Sequence, residues 1–119
     1  MIQELSPAEV RERMEEKGAF VVNIVTAWCP DCTERQQPNF PEFVKKMAAG
    51  GVVVYQCCVQ DEKLVFISDE HDSLVNDFGG HGYPRTVLIR DGKVLDSRKE
   101  VMDGLALSML ADDFFKQLP

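Results

Sequence analysis

Phe20-Val21-Val22-Asn23-Ile24-Val25-Thr26 runs through Ala27 into Trp28-Cys29-Pro30-Asp31-Cys32. The first part is apolar almost throughout and rich in β-branched side chains, as in a strand covered on both faces. Beyond it, a helical stretch is expected from about Cys32 to Ala48, bent or broken where Pro38 and Pro41 interrupt it. Cys29 thus falls between a buried strand and a helix N-terminus. Free amide N–H groups and the positive end of the helix dipole stabilise a thiolate there, and the thiolate is the nucleophilic form. Cys29 is assigned as nucleophile. Cys32, three residues on, is within its reach and is assigned as the resolving thiol that attacks a mixed disulfide. Other readings of the pair are half of a zinc site, inert core thiols, or an exposed pair without a role. No second Cys-x-x-Cys and no paired histidines follow, which weakens the zinc reading.

Upstream, Ile2 to Leu5 reads as a short strand. Ser6 as cap, Pro7 at the first helical position and Glu9 completing a capping box start a helix expected to reach Lys17, with Gly18 ending it. Downstream, Gly50-Gly51 turns into a second buried strand, Val52 to Val59. The stretch from Gln60 to His71 carries no clear period, and an apolar Leu64-Val65-Phe66-Ile67 lies within it between acidic residues. A short helix is predicted over Asp72 to Phe78, stopped by Gly79-Gly80. Thr86 to Ile89, Asp91-Gly92 and Val94 to Ser97 form a hairpin around a favoured two-residue turn. A final amphipathic helix runs from about Asp103 to Leu118, with Leu110, Phe114 and Leu118 on one face. The order β-α-β-α-β-α-β-β-α predicts an α/β fold: a central mixed sheet, parallel except at the late hairpin, flanked by helices. Residues 1–119 read as a single domain.

Bulk properties narrow the chemistry. The 119 residues are 45% hydrophobic and 28% charged, an ordinary globular balance. A net charge of −7 repels phosphate backbones and anionic membranes, so neither nucleic acid nor membrane is expected as a partner. The N-terminal residues lack an apolar leader-like run, and four cysteines are too few and too unevenly placed for a secreted disulfide framework. The expected compartment is the cytoplasm.

Trp28-Cys29-Pro30-Asp31-Cys32, then Gly82-Tyr83-Pro84, then Val87-Leu88-Ile89-Arg90-Asp91-Gly92-Lys93-Val94 resemble the thioredoxin family, over nearly the whole chain in element order. The Trp-Cys-Pro-Asp-Cys version is similar to that of the cytosolic thioredoxin-related reductases, and the spacing is also similar to bacterial thioredoxin-like reductases. The resemblance implies the thioredoxin fold, with Pro84 cis beside the cysteines and Tyr83 pairing backbone-to-backbone with substrate. It makes Trp28, Pro30, Asp31, Tyr83 and Pro84 the substrate-binding set. Independently, Pro84 directly precedes a strand, where proline is tolerated, and X–Pro bonds are the ones that can be cis.

The chain departs from that family at Asn23, where thioredoxins usually carry a buried Asp. The lysine that commonly pairs with the acid matches Gln56 best, so a neutral Asn23–Gln56 amide pair is expected in second-layer support of the cysteines, the alternative being two polar strand residues that point wherever they can hydrogen-bond. An amide cannot take the Cys32 proton, which leaves a solvent route or another group to do so. Asp31 places negative charge by the thiolate and makes the pair more reducing, whereas losing the acid at position 23 does the reverse.

Cys57 and Cys58 point to opposite faces of their strand and read chiefly as packing thiols, with an auxiliary redox or metal role as the alternative. His81 reads as a loop residue or as a border of the active surface; Tyr83 either narrows the substrate groove or packs. The Leu64–Ile67 run covers the core or docks a partner. The leading expectation is a thiol–disulfide oxidoreductase, a protein-disulfide reductase acting on protein or small disulfides through Cys29 and Cys32. It would draw electrons from an external reductase and need no bound cofactor. The rivals are a thioredoxin-fold adaptor or chaperone acting by docking, a thiolate metal site using Cys29, Cys32 and Cys58, and a glutathione-linked activity.

Overall fold

The computed structural model describes residues 2–119. The elements are β1 (Gln3–Glu4), α1 (Pro7–Met14), β2 (Ala19–Thr26), a one-turn π-helix (Asp31–Gln36) passing through a 3-10 turn (Gln37–Asn39) into α2 (Phe40–Ala49), β3 (Val53–Gln60), α3 (Asp69–Asp77), β4 (Arg85–Arg90), β5 (Lys93–Lys99) and α4 (Gly104–Lys116). The sheet order is β1-β3-β2-β4-β5. The first three strands run parallel, and β4 and β5 add antiparallel at the other side.

Strand alternation divides the core in two. Phe20, Val22 and Ile24 of β2 pack with Leu74, Val75 and Phe78 of the α3 side. Val21 joins Phe43, Met47, Leu107, Leu110 and Phe114 of α2 and α4 on the opposite face. β2 lies between β3 and β4, so both its faces and both its edges are covered, and its C-terminal end presents the cysteine motif.

Local chemistry sets most boundaries. The Ser6–Glu9 capping box forms at both of its bonds. α1 stops at Met14 rather than reaching Lys17, because Glu15, Glu16 and Lys17 are exposed and have no packed face to extend. α3 starts three residues earlier than expected: Ser68 caps it through His71 N–H, and Asp69, Glu70 and Asp72 complement the dipole in its first turn. In the β4–β5 turn Asp91 and Gly92 both have positive φ, 52° and 78°, as a two-residue primed turn requires. Asp91 also ties that turn to Gly18, accepting from its N–H at 2.8 Å and donating to its carbonyl at 3.0 Å.

Pro38 and Pro41 do break the helical stretch, and the break has a specific form. Gln37 N–H bonds to the Cys32 carbonyl five residues back, so one surplus residue is taken up in the turn after the cysteines. No helix among the described residues is long and apolar enough to cross a membrane.

Candidate functional site

β2 delivers Cys29 to the end of the sheet, where the chain turns into the helical segment. The Cys32 and Thr33 N–H groups both close onto the Cys29 carbonyl, at 3.0 and 3.1 Å, and draw Cys32 back toward it. Cys29 is half-buried and Cys32 is buried, both as free thiols. Cys29 is therefore the more exposed residue of the pair, with Cys32 held behind it. Burial pushes the Cys32 thiol up to about 11; the neighbouring Cys29 adds to this, and hydrogen bonding to Thr26 opposes it. The Thr26 hydroxyl lies 4.0 Å from the Cys32 sulfur.

Behind the pair, Asn23 is fully buried in a closed amide network. Its Nδ2 donates to Gln36 Oε1 at 2.8 Å, and its Oδ1 accepts from Gln36 Nε2 at 3.3 Å and from the Thr86 hydroxyl at 3.0 Å. Gln36 Nε2 also donates to the Val101 carbonyl at 3.1 Å. The expected Asn23–Gln56 pair is corrected here: Gln56 stands opposite Asn23 in register but turns its amide to Glu4 on its other neighbour, at 2.7 Å. Gln36 takes the place beside Asn23 from the helical segment, where it lies four residues after the buried Cys32 and so on the same inward face, a spacing that was available in the sequence. A cavity of about 520 Å³ borders Thr26, Cys32, Gln36, Gln56 and Cys58 without reaching Cys29.

Around the motif, Asp31 is ion-paired with Arg35 one helical turn on, so its negative charge beside the cysteines is compensated. Pro30 is exposed. Trp28 is fixed by a hydrogen bond from its Nε1 to Gln60 Oε1 at 3.0 Å, and Lys63 Nζ lies 5.7 Å from its ring centroid. Neither Gln60 nor Lys63 has a local sequence signal that links it to Trp28; only the fold joins them.

The Tyr83–Pro84 peptide bond is cis. Tyr83 is turned inward at 9% exposure, which favours packing over a role as a bulky groove wall, and burial raises its phenol above the usual value. The loop before it is anchored by Arg85, which is itself buried and which the sequence did not single out. Its guanidinium donates to the His81 carbonyl at 2.6 Å and to Ser97 Oγ at 3.0 Å, and Ser97 Oγ donates to the Phe78 carbonyl at 2.6 Å. Gly79 is needed there: φ is 122°, and a Cβ would meet Arg85 Nη1 at 2.7 Å. His81 is exposed, with its ring 6.3 Å from that of Phe66.

Cys57 is fully buried in the core under α1 and α3, where burial pushes its thiol up to about 12. Cys58 is half-buried and donates to the Gln60 carbonyl at 3.6 Å. Among the described residues no group of three or more His, Cys, Asp or Glu is arranged to hold a metal ion.

The described site is a half-buried thiol backed by a buried one at the end of a central strand, and the fold that carries it has solved counterparts. The chain superposes on oxidised thioredoxin from Plasmodium falciparum with a TM-score of 0.73, over 96% of this chain and 98% of that one, at 16% identity. Mitochondrial thioredoxin 3 from Saccharomyces cerevisiae gives 0.69, over 94% of each chain, at 21% identity. Thioredoxin from Malassezia sympodialis gives 0.67, over 95% and 92%, at 19% identity. No protein-family model and no curated protein sequence matches the chain. The protein has the thioredoxin fold.

Proposed function

We propose that this protein is a thiol–disulfide oxidoreductase that reduces protein or small disulfides through Cys29 and Cys32. The observation that carries the reading is the half-buried Cys29 backed by the buried Cys32 at the end of β2. Cys29, as thiolate, attacks one sulfur of the substrate disulfide, forming a mixed disulfide and expelling the first substrate thiolate. Cys32 then loses its proton and attacks the Cys29 sulfur. The Cys29–Cys32 disulfide forms, the second substrate thiolate leaves, and two electrons have passed to the substrate. An external reductase restores the dithiol, and no bound cofactor enters the cycle.

The proton of Cys32 has no carboxylate waiting for it in the Asn23–Gln36–Thr86 network, so it leaves through solvent along the cavity that borders Thr26 and Cys32. Trp28, Pro30, Asp31, Tyr83 and Pro84 frame the substrate, and Asn23 supports the pair from behind. Gln56 acts at one remove, on the cavity wall. We place the reaction in the cytoplasm, in keeping with the small cysteine content.

Equilibration of the protein with graded dithiothreitol or glutathione buffers, read by Trp28 fluorescence, tests this. A reversible two-electron transition at or below roughly −250 mV is expected of a reductase. A value near roughly −150 mV would turn the assignment to an oxidant or isomerase, and no transition at all would overturn it.

A further inference from the structure

Three segments meet around Trp28 and the cysteines: the motif, the loop His81–Pro84, and the loop between β3 and α3. That third segment, Asp61–Ile67, is tied to both of the others. The Gln60 side chain is 1% exposed, and its one oxygen accepts from Trp28 Nε1 at 3.0 Å and from Leu64 N–H at 3.1 Å. Lys63 covers the Trp28 ring, and Phe66 meets His81. Within the Leu64–Ile67 run only Phe66 turns toward the core. Leu64, Val65 and Ile67 point outward at 73%, 55% and 47% exposure.

Leu64 holds a φ of 66°, a left-handed backbone that a bulky side chain adopts only when its surroundings impose it. The Gln60 bond and the Glu62–Val65 bridge impose it. The fold therefore spends backbone strain to hold a large apolar side chain in water, beside the tryptophan that precedes the nucleophile. Charge surrounds this apolar centre asymmetrically. Asp61, Glu62, Asp69 and Glu70 are all exposed, and the cation within the loop itself, Lys63, is engaged over Trp28.

We propose that the Asp61–Ile67 loop is the specificity surface of the Cys29 centre. It receives the polypeptide that flanks a substrate disulfide, and it favours a flank that is apolar and carries a basic residue. This rests on the oxidoreductase reading and names its substrate class. Apolar contact on Leu64, Val65 and Ile67 supplies the attraction, and the anionic rim selects the charge of the flank. A small disulfide that engages Cys29 without a flanking chain gains nothing from the loop, which is joined to the motif through Trp28.

The test uses the full chain, reduced and freed of reductant, in single-turnover oxidation read by Trp28 fluorescence. Three probes are compared: a Leu/Lys-flanked peptide disulfide, a Ser/Asp-flanked one of equal length, and 2-hydroxyethyl disulfide. The parent is expected to react about tenfold faster with the Leu/Lys peptide than with the Ser/Asp peptide, a difference of ~1.4 kcal/mol. In the double variant Leu64→Asn, Val65→Ser the preference collapses to about twofold or less, with the 2-hydroxyethyl disulfide rate unchanged; Asn accepts the left-handed backbone, so the loop is kept. Glu62→Lys, an exposed change without a side-chain bond to lose, lowers the same preference through charge alone. An unaltered ratio in both variants overturns the specificity surface and leaves the oxidoreductase standing. Failure of the parent to react with any of the three probes overturns both.

Discussion

Asn23 shows how much a single side chain settles at the residue scale. Its donor faces the Gln36 oxygen and its oxygen accepts twice, so the buried network is satisfied without charge. In Asn23→Asp a protonated carboxyl can still donate to Gln36 Oε1, whereas an ionised one loses that donor and sets a second acceptor against it. In this fully buried position the new carboxyl is held neutral, so its folded pKa rises above the unfolded value near ~3.9. The unfolded chain then ionises first as pH rises. Asn23→Asp should cost little near pH 4 and about 1–3 kcal/mol or more near pH 7, in urea denaturation at the two values. Equal losses at both would show that the acid is paired or hydrated. The residue scale was also where the sequence misled. Asn23 was legible as a departure, but its partner was misread. Gln56 stands opposite it in register and still bonds outward to Glu4, while Gln36 comes in from the helical segment, one turn beyond Cys32 on the same buried face, a partner distant from Asn23 in the chain.

Elements were legible wherever their signals are local. The Ser6–Glu9 box, the Asp91-Gly92 turn and the apolar run of β2 each rest on residues adjacent in the chain, and each formed as read. α3 was placed late because Ser68 lies among acidic residues that resemble a loop, although acids in a first turn are what a helix N-terminus attracts. Residues 60–71 resisted a reading because their order comes from distant groups: Gln60 binds Trp28, and Phe66 meets His81. The hairpin turn offers the sharpest prediction at this scale. Gly92 has a φ of 78°, and a Cβ there would stand 2.7 Å from the Met14 backbone carbonyl. Gly92→Ala therefore combines strain with a contact that has no flexible atom to yield, and should destabilise by about 2 kcal/mol or more in thermal or urea unfolding. A loss below about 0.5 kcal/mol would mean that the turn and the end of α1 separate easily.

For the molecule as a whole, the buried thiols couple stability to alkaline pH. Burial raises Cys32 to about 11 and Cys57 to about 12, whereas a thiol in the unfolded chain ionises near ~8.5. Between those values the unfolded state has lost protons that the folded state keeps, so stability falls as pH rises through roughly 8.5 to 11. The urea midpoint of the reduced protein should fall steadily over that window, and Cys57→Ala should flatten the slope while lowering stability at neutral pH. A flat profile in the parent would show that both thiols ionise in place.

The surplus residue between Asp31 and Gln36 has a consequence for how this chain can change length. An α-helix advances by about 100° per residue, and the wide turn absorbs one such step. It works as a phase shifter: the cysteine end keeps the azimuth set by β2, while Phe40, Phe43 and Met47 keep the one set by the sheet and α4. Shedding one residue here would let the turn close to ordinary α winding with both ends still in step, whereas a residue added or removed inside α2 would rotate either the thiols or the aromatic face away from its partner surface.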